Sequence, residues 1–355
     1  MALRHAEYAK QAYDRVAGDY DDLFSCHVAH VNARLDQDLR LQPGQRVADL
    51  ACGTGVGTVE MARAVAPGEV IGVDYSEGML AAARERAHDA GVHVSFRHAR
   101  AEEFIAQAPT GSFDVVSMRF VLAYLDWRNV VPGMGRLLAP GGRVGLITSL
   151  SGSIPQFNEL YNKFRKSPEP AWKLFQHTRR NLGQTWRIYR QLKDTFGEPS
   201  FITVPDSADQ LADRLLSGGG LRLVETWTDS VRMWFDSGRD AVEWMHASGY
   251  VTHSSLQHVG PSVLAFVGSL FAEGLETYRQ RRGVPLDLVI AAVVAERPRA
   301  KRCLSTRSRS RPSPASAPTS SVWRDTPSMS TTSNPMSASF TCSLDTDVRR
   351  RGSRL

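Results

Sequence analysis

The sequence lacks any run of 18 apolar residues, which is the length that a membrane-spanning helix requires. It has only four cysteines, Cys26, Cys52, Cys303 and Cys342, and they show neither the spacing of a zinc site nor the density of a disulfide-rich secreted domain. The first residues are polar and carry carboxylates, unlike a secretory signal. These absences predict a cytoplasmic protein with no membrane partner and no metal.

The net charge of +6 is unevenly distributed. Residues 298–355 hold 11 of the 43 Lys+Arg and 3 of the 37 Asp+Glu, which leaves a charge of −2 on residues 1–297. A near-neutral folded part disfavours a nucleic-acid substrate. Residues 299–355 are rich in Ser, Pro and Arg, and we expect a disordered basic tail, because too little apolar area is available to offset about 1–2 kcal/mol per residue of backbone ordering. An electrostatic arm and an out-of-frame read of a GC-rich gene are open alternatives.

Seven segments have the pattern of strands: 46–51, 69–76, 93–99, 113–120, 143–150, 221–235 and 286–298. Helical patterns separate the first five, and alternation at this pitch predicts a parallel sheet covered on both faces. Residues 1–40 also have a helical pattern, with a break expected at Gly18, and residues 153–198 form a further helical segment rich in aromatics. The predicted fold class is therefore α/β.

Three alternate glycines, Gly53, Gly55 and Gly57, follow the first strand in "DLACGTGVG". Glycines there allow positive φ and let a ligand approach the backbone, next to the free N–H groups of a helix N-terminus. The dinucleotide pattern is G-x-G-x-x-G, whereas this loop is G-x-G-x-G and follows Asp49. A carboxylate would repel pyrophosphate but attract the sulfonium and ammonium of S-adenosylmethionine. The charge argument therefore favours the second ligand.

Two further acidic positions fit a nucleoside ligand. Asp74 ends the second strand, where a carboxylate can accept hydrogen bonds from both ribose hydroxyls. Glu102 follows the third strand, beside the place expected for an adenine edge. Each alone is equally an ordinary acid at a helix start. Together with Asp49 they favour a nucleoside.

Five motifs in this order resemble the class I S-adenosylmethionine-dependent methyltransferases: VADLACGTG, VIGVDYSEGML, HARAEEF, FDVVSMRFVLAYLDW and RLLAPGGRVGLI. The N-terminal YDRVAGDYDDLF resembles the cofactor-covering segment of the small-molecule branch related to ubiquinone and menaquinone C-methylation. The resemblance implies a doubly wound, seven-stranded, mostly parallel Rossmann-like sheet whose antiparallel seventh strand lies next to the fifth. It also implies residues 1–40 as a cofactor cover and residues 41–298 as the methyltransferase domain. Within that domain, the aromatics of WKLF and WRIYRQL predict that residues 153–198 form a substrate lid, and helix packing is the open alternative.

The resemblance assigns S-adenosyl-L-methionine as the cofactor and assigns its contacts residue by residue. The methionine end is expected at Asp49, Ala51, Gly53, Thr54 and Gly55, with Tyr13 or Tyr20 above it. The nucleoside end is expected at Asp74, Tyr75, Met79, Ala101 and Glu102, and the sulfur faces the backbone of Arg119 and Phe120.

Methyl transfer is an in-line displacement in which alignment alone lowers the barrier by about 7–11 kcal/mol. If the acceptor loses a proton early, a histidine is the expected base. His253, in a Ser/Thr-rich loop, is the first candidate and His246 the second, ahead of His177 and His258. Each histidine taken alone fits a packing or surface role better, but three of them within thirteen residues favour one in the pocket.

The predicted function is methyl transfer to carbon or oxygen of a small hydrophobic or aromatic molecule in specialised metabolism, such as antibiotic biosynthesis. The letters after the fourth strand, "RFVLAY", lack the N-P-P-Y pattern of DNA-adenine and protein-glutamine methylation. The alternatives are an NAD-dependent oxidoreductase, an RNA methyltransferase using the basic tail, and a non-catalytic S-adenosylmethionine-binding partner protein. The acceptor and the oligomeric state, a homo-oligomer included, stay open.

Overall fold

The computed structural model describes residues 2–166, 204–248 and 261–299, all within the first of two units, Met1–Ala300 and Lys301–Leu355. The strands are β1 (Arg46–Leu50), β2 (Glu69–Asp74), β3 (Ser95–His98), β4 (Phe113–Arg119), β5 (Leu138–Ser149), β6 (Arg222–Phe235) and β7 (Val284–Glu296). The helices are α1 (Ala2–Val16), α2 (Cys26–Leu39), α3 (Val56–Val65), α4 (Glu77–Asp89), α5 (Ala101–Gln107), α6 (Trp127–Leu137), α7 (Pro155–Lys166), α8 (Ala208–Leu216), α9 (Gly238–Ala247) and α10 (Pro261–Glu276). A π-helical turn (Asp21–Ser25) precedes α2, and a 3₁₀ turn (Leu122–Tyr124) follows β4.

The strands form one seven-stranded sheet in the order β3-β2-β1-β4-β5-β7-β6. The first five strands pair in parallel, and β7 runs antiparallel between β5 and β6. This confirms the predicted doubly wound sheet and the placement of its last strand. The order reverses between β1 and β4, so the crevice beyond their carboxyl ends is where such sheets bind ligands.

Burial on both faces explains why the strands stand out in the sequence. Val47 packs into the core on one face of the sheet, while its neighbour Ala48 packs into the core on the other. The first core takes Leu35 of α2, and the second takes Trp127 of α6. Strands buried on both faces appear as continuous apolar runs rather than alternating ones.

One strand boundary differs from its prediction by more than two residues. We expected β5 to start at Arg143, after the Pro-Gly-Gly of the preceding turn, but it starts at Leu138. Leu138 is fully buried and pairs with Phe113, and the Gly141 amide donates to the Arg297 carbonyl. Tertiary pairing therefore extends the strand through residues whose local preference is a turn.

The N-terminal region is helical and breaks around Gly18, between the end of α1 and the π-helical turn. Only residues 153–166 of the expected lid lie within the described residues, and Pro155–Lys166 of them form α7. The rest of that lid, residues 167–198, and the tail beyond Arg299 lie outside them. The domain roles therefore stay predictions. Within the described ranges, every helix is too short or too polar to cross a membrane.

Candidate functional site

A cleft with about 780 Å³ of empty volume, its open mouth included, lies at the carboxyl ends of the parallel strands. It is lined by eleven of the fourteen residues that the sequence placed at the cofactor: Tyr13, Tyr20, Ala51, Gly53, Asp74, Tyr75, Met79, Ala101, Glu102, Arg119 and Phe120. The remaining three, Asp49, Thr54 and Gly55, are not in the lining. The residues that converge come from α1 and the turn after it, the β1–α3 loop, the ends of β2 and β4, and the first turns of α4 and α5.

The glycine loop between β1 and α3 is bent by three residues with positive φ: Ala51 at 58°, Gly53 at 56° and Gly55 at 80°. A Cβ built on Gly53 would meet no atom within 4 Å, so the space beside this loop is open to a ligand. A Cβ on Gly55 would lie 2.9 Å from the Cβ of Ala83, so this glycine instead lets α3 pack closely on α4. Gly55 therefore has a packing role, and Gly53 faces the cleft.

Asp74 is held in place by the backbone. Its two carboxylate oxygens accept hydrogen bonds from the Gly53 amide and the Ser76 amide, each at 2.9 Å. Burial raises the pKa of Asp74, although both amides act in the opposite direction. Each carboxylate oxygen accepts two hydrogen bonds, so capacity remains for a ligand's hydroxyl donors. This arrangement fits the expected contact with a ribose.

Glu102 has one satisfied and one unsatisfied oxygen. Its Oε1 pairs with Arg100 at 3.0 Å, whereas Oε2 is buried and has no partner. Leaving a buried acceptor unpaired costs about 1–3 kcal/mol, more for a charged group. A ligand N–H would remove that cost, which fits the expected contact with an adenine amine.

Aromatic side chains form one side of the cleft. We call Tyr13, Tyr20, Tyr124 and Phe120 the aromatic wall. The Tyr13 hydroxyl donates to the Tyr124 hydroxyl at 2.7 Å, and the two rings meet edge to face. Burial raises the pKa of Tyr13 and of Tyr20, so both phenols stay neutral at physiological pH.

Asp49 lies buried under the glycine loop rather than in the cleft. Its Oδ2 accepts a hydrogen bond from the Thr58 hydroxyl at 2.6 Å, and only 2 % of the residue is exposed. Burial raises its pKa, opposed by the nearby Arg119 guanidinium, which also pairs with Asp36 of α2. Arg119 thus forms an ion pair with Asp36 and acts on the buried Asp49 through its charge.

Thr54 also points away from the cleft. Its hydroxyl donates to Asp21 at 2.6 Å, and its carbonyl accepts from Arg86 at 2.9 Å. The side chain therefore joins the glycine loop to the N-terminal segment.

Of the two predicted catalytic histidines, His246 alone is among the described residues, and it is not in the cleft lining. His246 is exposed on α9, where partial burial lowers its pKa. His253, His177 and His258 lie outside the described residues. The structure shows no cluster of His, Cys, Asp and Glu suited to a metal within the three described ranges.

Sequence reasoning missed several lining residues, notably Lys10, Ser76, Arg100 and Tyr124. Lys10 precedes Tyr13 by about one helical turn, so helical spacing could have revealed it. Ser76 and Arg100 stand at the starts of α4 and α5, and their position after parallel strands was an available signal. Tyr124 lies in the 3₁₀ turn after β4, which local sequence did not indicate.

The chain is similar to known methyltransferases in both sequence and fold. A family profile described as "Methyltransferase domain" matches residues 47–142. The chain is 31 % identical over 205 residues to the demethylmenaquinone methyltransferase of Listeria welshimeri. The aligned segment covers 56 % of this chain and 84 % of the Listeria protein. The corresponding protein of Staphylococcus aureus is 30 % identical over 212 residues, covering 56 % and 86 %. A Bacillus halodurans protein solved as a candidate methyltransferase covers 75 % of this chain and 98 % of its own, at 18 % identity and a TM-score of 0.48.

Proposed function

The chain belongs to the class I S-adenosylmethionine-dependent methyltransferases, and from this premise we propose that it methylates carbon or oxygen of a small hydrophobic or aromatic molecule. S-Adenosyl-L-methionine is the cofactor, and the acceptor is a small molecule. The observation that carries the proposed acceptor class is the aromatic wall, which lies in the same cleft as Asp74 and Glu102.

The bound cofactor supplies a methyl group activated by its sulfonium. The chain's residues bind and orient it: Asp74 offers its carboxylate to the ribose hydroxyls, and the free oxygen of Glu102 accepts from the adenine amine. Neither contact requires the side chain to move, because backbone amides fix Asp74 and Arg100 fixes Glu102. Alignment of this kind is the main contribution that a protein makes to such a displacement.

The aromatic wall suits a flat acceptor for two physical reasons. Its rings exclude water, and offset or edge-to-face contacts between aromatic groups contribute about 0.5–1.5 kcal/mol beyond area burial. Because Tyr13 and Tyr20 stay neutral, their hydroxyls act as hydrogen-bond donors rather than as bases. The base, if one is needed, is predicted to be His253 or His246.

The similar Listeria and Staphylococcus proteins are named for methylation of demethylmenaquinone. That name supports a quinone-like aromatic acceptor for this chain and makes demethylmenaquinone the first compound to try. A place in specialised metabolism, antibiotic biosynthesis included, stays a prediction.

The test incubates the full chain with methyl-labelled S-adenosylmethionine and three acceptors: a demethylmenaquinone, a set of small phenols, and total RNA. Label in an organic extract that is absent with Asp74→Asn supports the proposal. Label only in precipitated RNA would instead support the RNA alternative. Binding of S-adenosylhomocysteine without transfer to any acceptor would support the non-catalytic alternative, and both of these results count against the proposal.

A further inference from the structure

A Tyr-Asp pair occurs twice in the N-terminal segment, as Tyr13-Asp14 and as Tyr20-Asp21. Both tyrosines line the cleft, whereas neither aspartate does. Successive residues of a helix point about 100° apart, so one turn can send a ring into the cleft and a carboxylate to a neighbouring surface. The contacts of the two carboxylates show what each surface is.

Asp14 holds the N-terminus of α4. Its Oδ1 accepts from the Ser76 hydroxyl at 2.6 Å and from the Gly78 amide at 3.0 Å, and Oδ2 accepts from Lys10 at 2.9 Å. Burial alone would raise the pKa of Asp14, but hydrogen bonds from Ser76 and Lys10 outweigh it and the pKa is lowered. Ser76 is also the residue whose amide holds Asp74. Asp14 therefore joins α1 to the residue that positions the ribose-binding carboxylate.

Asp21 holds the glycine loop and the side of α4. Its Oδ1 accepts from the Thr54 hydroxyl at 2.6 Å and from Ser25 at 2.8 Å, while Oδ2 pairs with Arg86. The same Arg86 donates to the Thr54 carbonyl, which closes a ring of contacts around one loop residue. The N-terminal segment is thus attached at the two places where the cofactor is expected to lie.

We propose that Asp14 and Asp21 are positioning residues for cofactor binding. They fix the N-terminal segment to α4 and to the glycine loop, so that Tyr13 and Tyr20 close the cleft over the bound cofactor. This inference rests on S-adenosylmethionine as the cofactor and is independent of the acceptor. A positioning role differs from ordinary fold stabilisation because it acts on how fast the ligand leaves.

The test measures S-adenosylhomocysteine binding to the full chain, by calorimetry for affinity and by stopped flow for dissociation. Asp14→Ala and Asp21→Ala are each expected to weaken binding about tenfold, as expected for the loss of a charge-assisted hydrogen bond. Most of the loss should be faster dissociation. Asp22→Ala, an exposed carboxylate in the same turn as Asp21, is the matched control and should stay within about twofold. Asp14→Asn and Asp21→Asn keep one acceptor oxygen and provide milder variants if an alanine variant fails to fold.

A double-mutant cycle separates positioning from independent effects. If Asp21 acts by placing Tyr20, then Asp21→Ala should add little to the loss already caused by Tyr20→Ala. Additive losses would overturn the proposal, as would a lower Tm with unchanged affinity and dissociation rate. Failure of the wild-type chain to bind S-adenosylhomocysteine would overturn the assignment of the cofactor. Normal binding by every variant would overturn only the positioning role of Asp14 and Asp21.

Discussion

Carboxylates in two regions of this molecule are in opposite electrostatic situations. Asp49 and Asp74, at the carboxyl ends of β1 and β2, have pKa values raised by burial. Asp287 and Glu296, at the two ends of β7, have pKa values lowered by hydrogen bonds from arginines. For Asp49 and Asp74, burial raises the pKa more than the nearby hydrogen-bond donors lower it. For Asp287 and Glu296, hydrogen bonds from arginine side chains lower the pKa more than burial raises it.

The difference separates carboxylates that stabilise the fold from carboxylates that lie in the cleft, as Asp74 does, or under its glycine loop, as Asp49 does. Asp287 accepts two hydrogen bonds from Arg232, at 2.6 and 3.0 Å, and a third from Gln156 at 2.8 Å, so it joins β6 and α7 to β7. A carboxylate with a lowered pKa contributes stability, whereas one with a raised pKa subtracts it. Sites that cost stability are typical of function. The cleft and the β6–β7 region should therefore respond oppositely to the same substitution.

The largest expected effect is on binding. Asp74→Asn should weaken S-adenosylhomocysteine affinity by about 10- to 150-fold, because a hydrogen bond to a charged group contributes about 1.5–3 kcal/mol. The Tm of the ligand-free protein should change little, because the loss of a desolvated charge is offset by an asparagine NH₂ group that faces one of the two backbone amides. Titration calorimetry and thermal unfolding measure the two quantities. Asp287→Asn, the same chemical change in β7, should leave the affinity unchanged, and equal losses in both variants would contradict the comparison.

The next effect is on stability. Asp287→Asn should lower the Tm by about 2–4 °C, because Arg232 loses its charged partner and the asparagine NH₂ group faces a donor. Glu225→Gln, an exposed carboxylate on β6, is the control and should not shift the Tm. Differential scanning calorimetry of the ligand-free chain provides the measurement. A Tm loss for Glu225→Gln as large as that for Asp287→Asn would show that the arginine pairing is not the cause.

Acid should separate binding from stability. Asp287 contributes its full stabilisation of the fold at any pH above 3.8, the ordinary pKa of an aspartate. Because its pKa in the folded protein is lower, this stabilisation is lost only as the pH falls through that lower value. The raised pKa of Asp74 means that its carboxylate starts to be protonated at a higher pH than an ordinary aspartate, so affinity should fall first. Parallel titrations of affinity and Tm from pH 7 to pH 4 test this order. Asp74→Asn should remove most of the pH dependence of binding, and a simultaneous fall of affinity and Tm would contradict it.

How much of this the sequence could predict depended on the range of the interactions. The strands were found because burial on both faces makes them apolar runs, and β5 was misjudged where long-range pairing with Phe113 and Arg297 overrode a turn pattern. The cleft residues were placed because loops after parallel strands meet at one edge of the sheet. Asp49 and Thr54 were placed at the end of β1 and in the glycine loop, but the Arg119 charge near Asp49 and the Asp21 partner of Thr54 are far away in the chain. Contacts of that kind carry no local signal.

The smallest expected effect concerns the buried charge under the glycine loop. Asp49→Asn keeps an oxygen that accepts from the Thr58 hydroxyl. It leaves one negative charge, that of Asp36, beside the one positive charge of Arg119. Because a raised pKa opposes folding of the ionised form, we expect the Tm at pH 7 to rise by about 2 °C. The gain should shrink as the pH falls through the raised pKa, where the wild-type carboxyl is neutral too. Asp36→Asn removes the ion pair between Asp36 and Arg119, which Asp49→Asn keeps, so Asp36→Asn should lower the Tm instead. If both substitutions lower the Tm equally, Asp49 stabilises the fold as Asp287 and Glu296 do, and only Asp74 still contrasts with the carboxylates of β7.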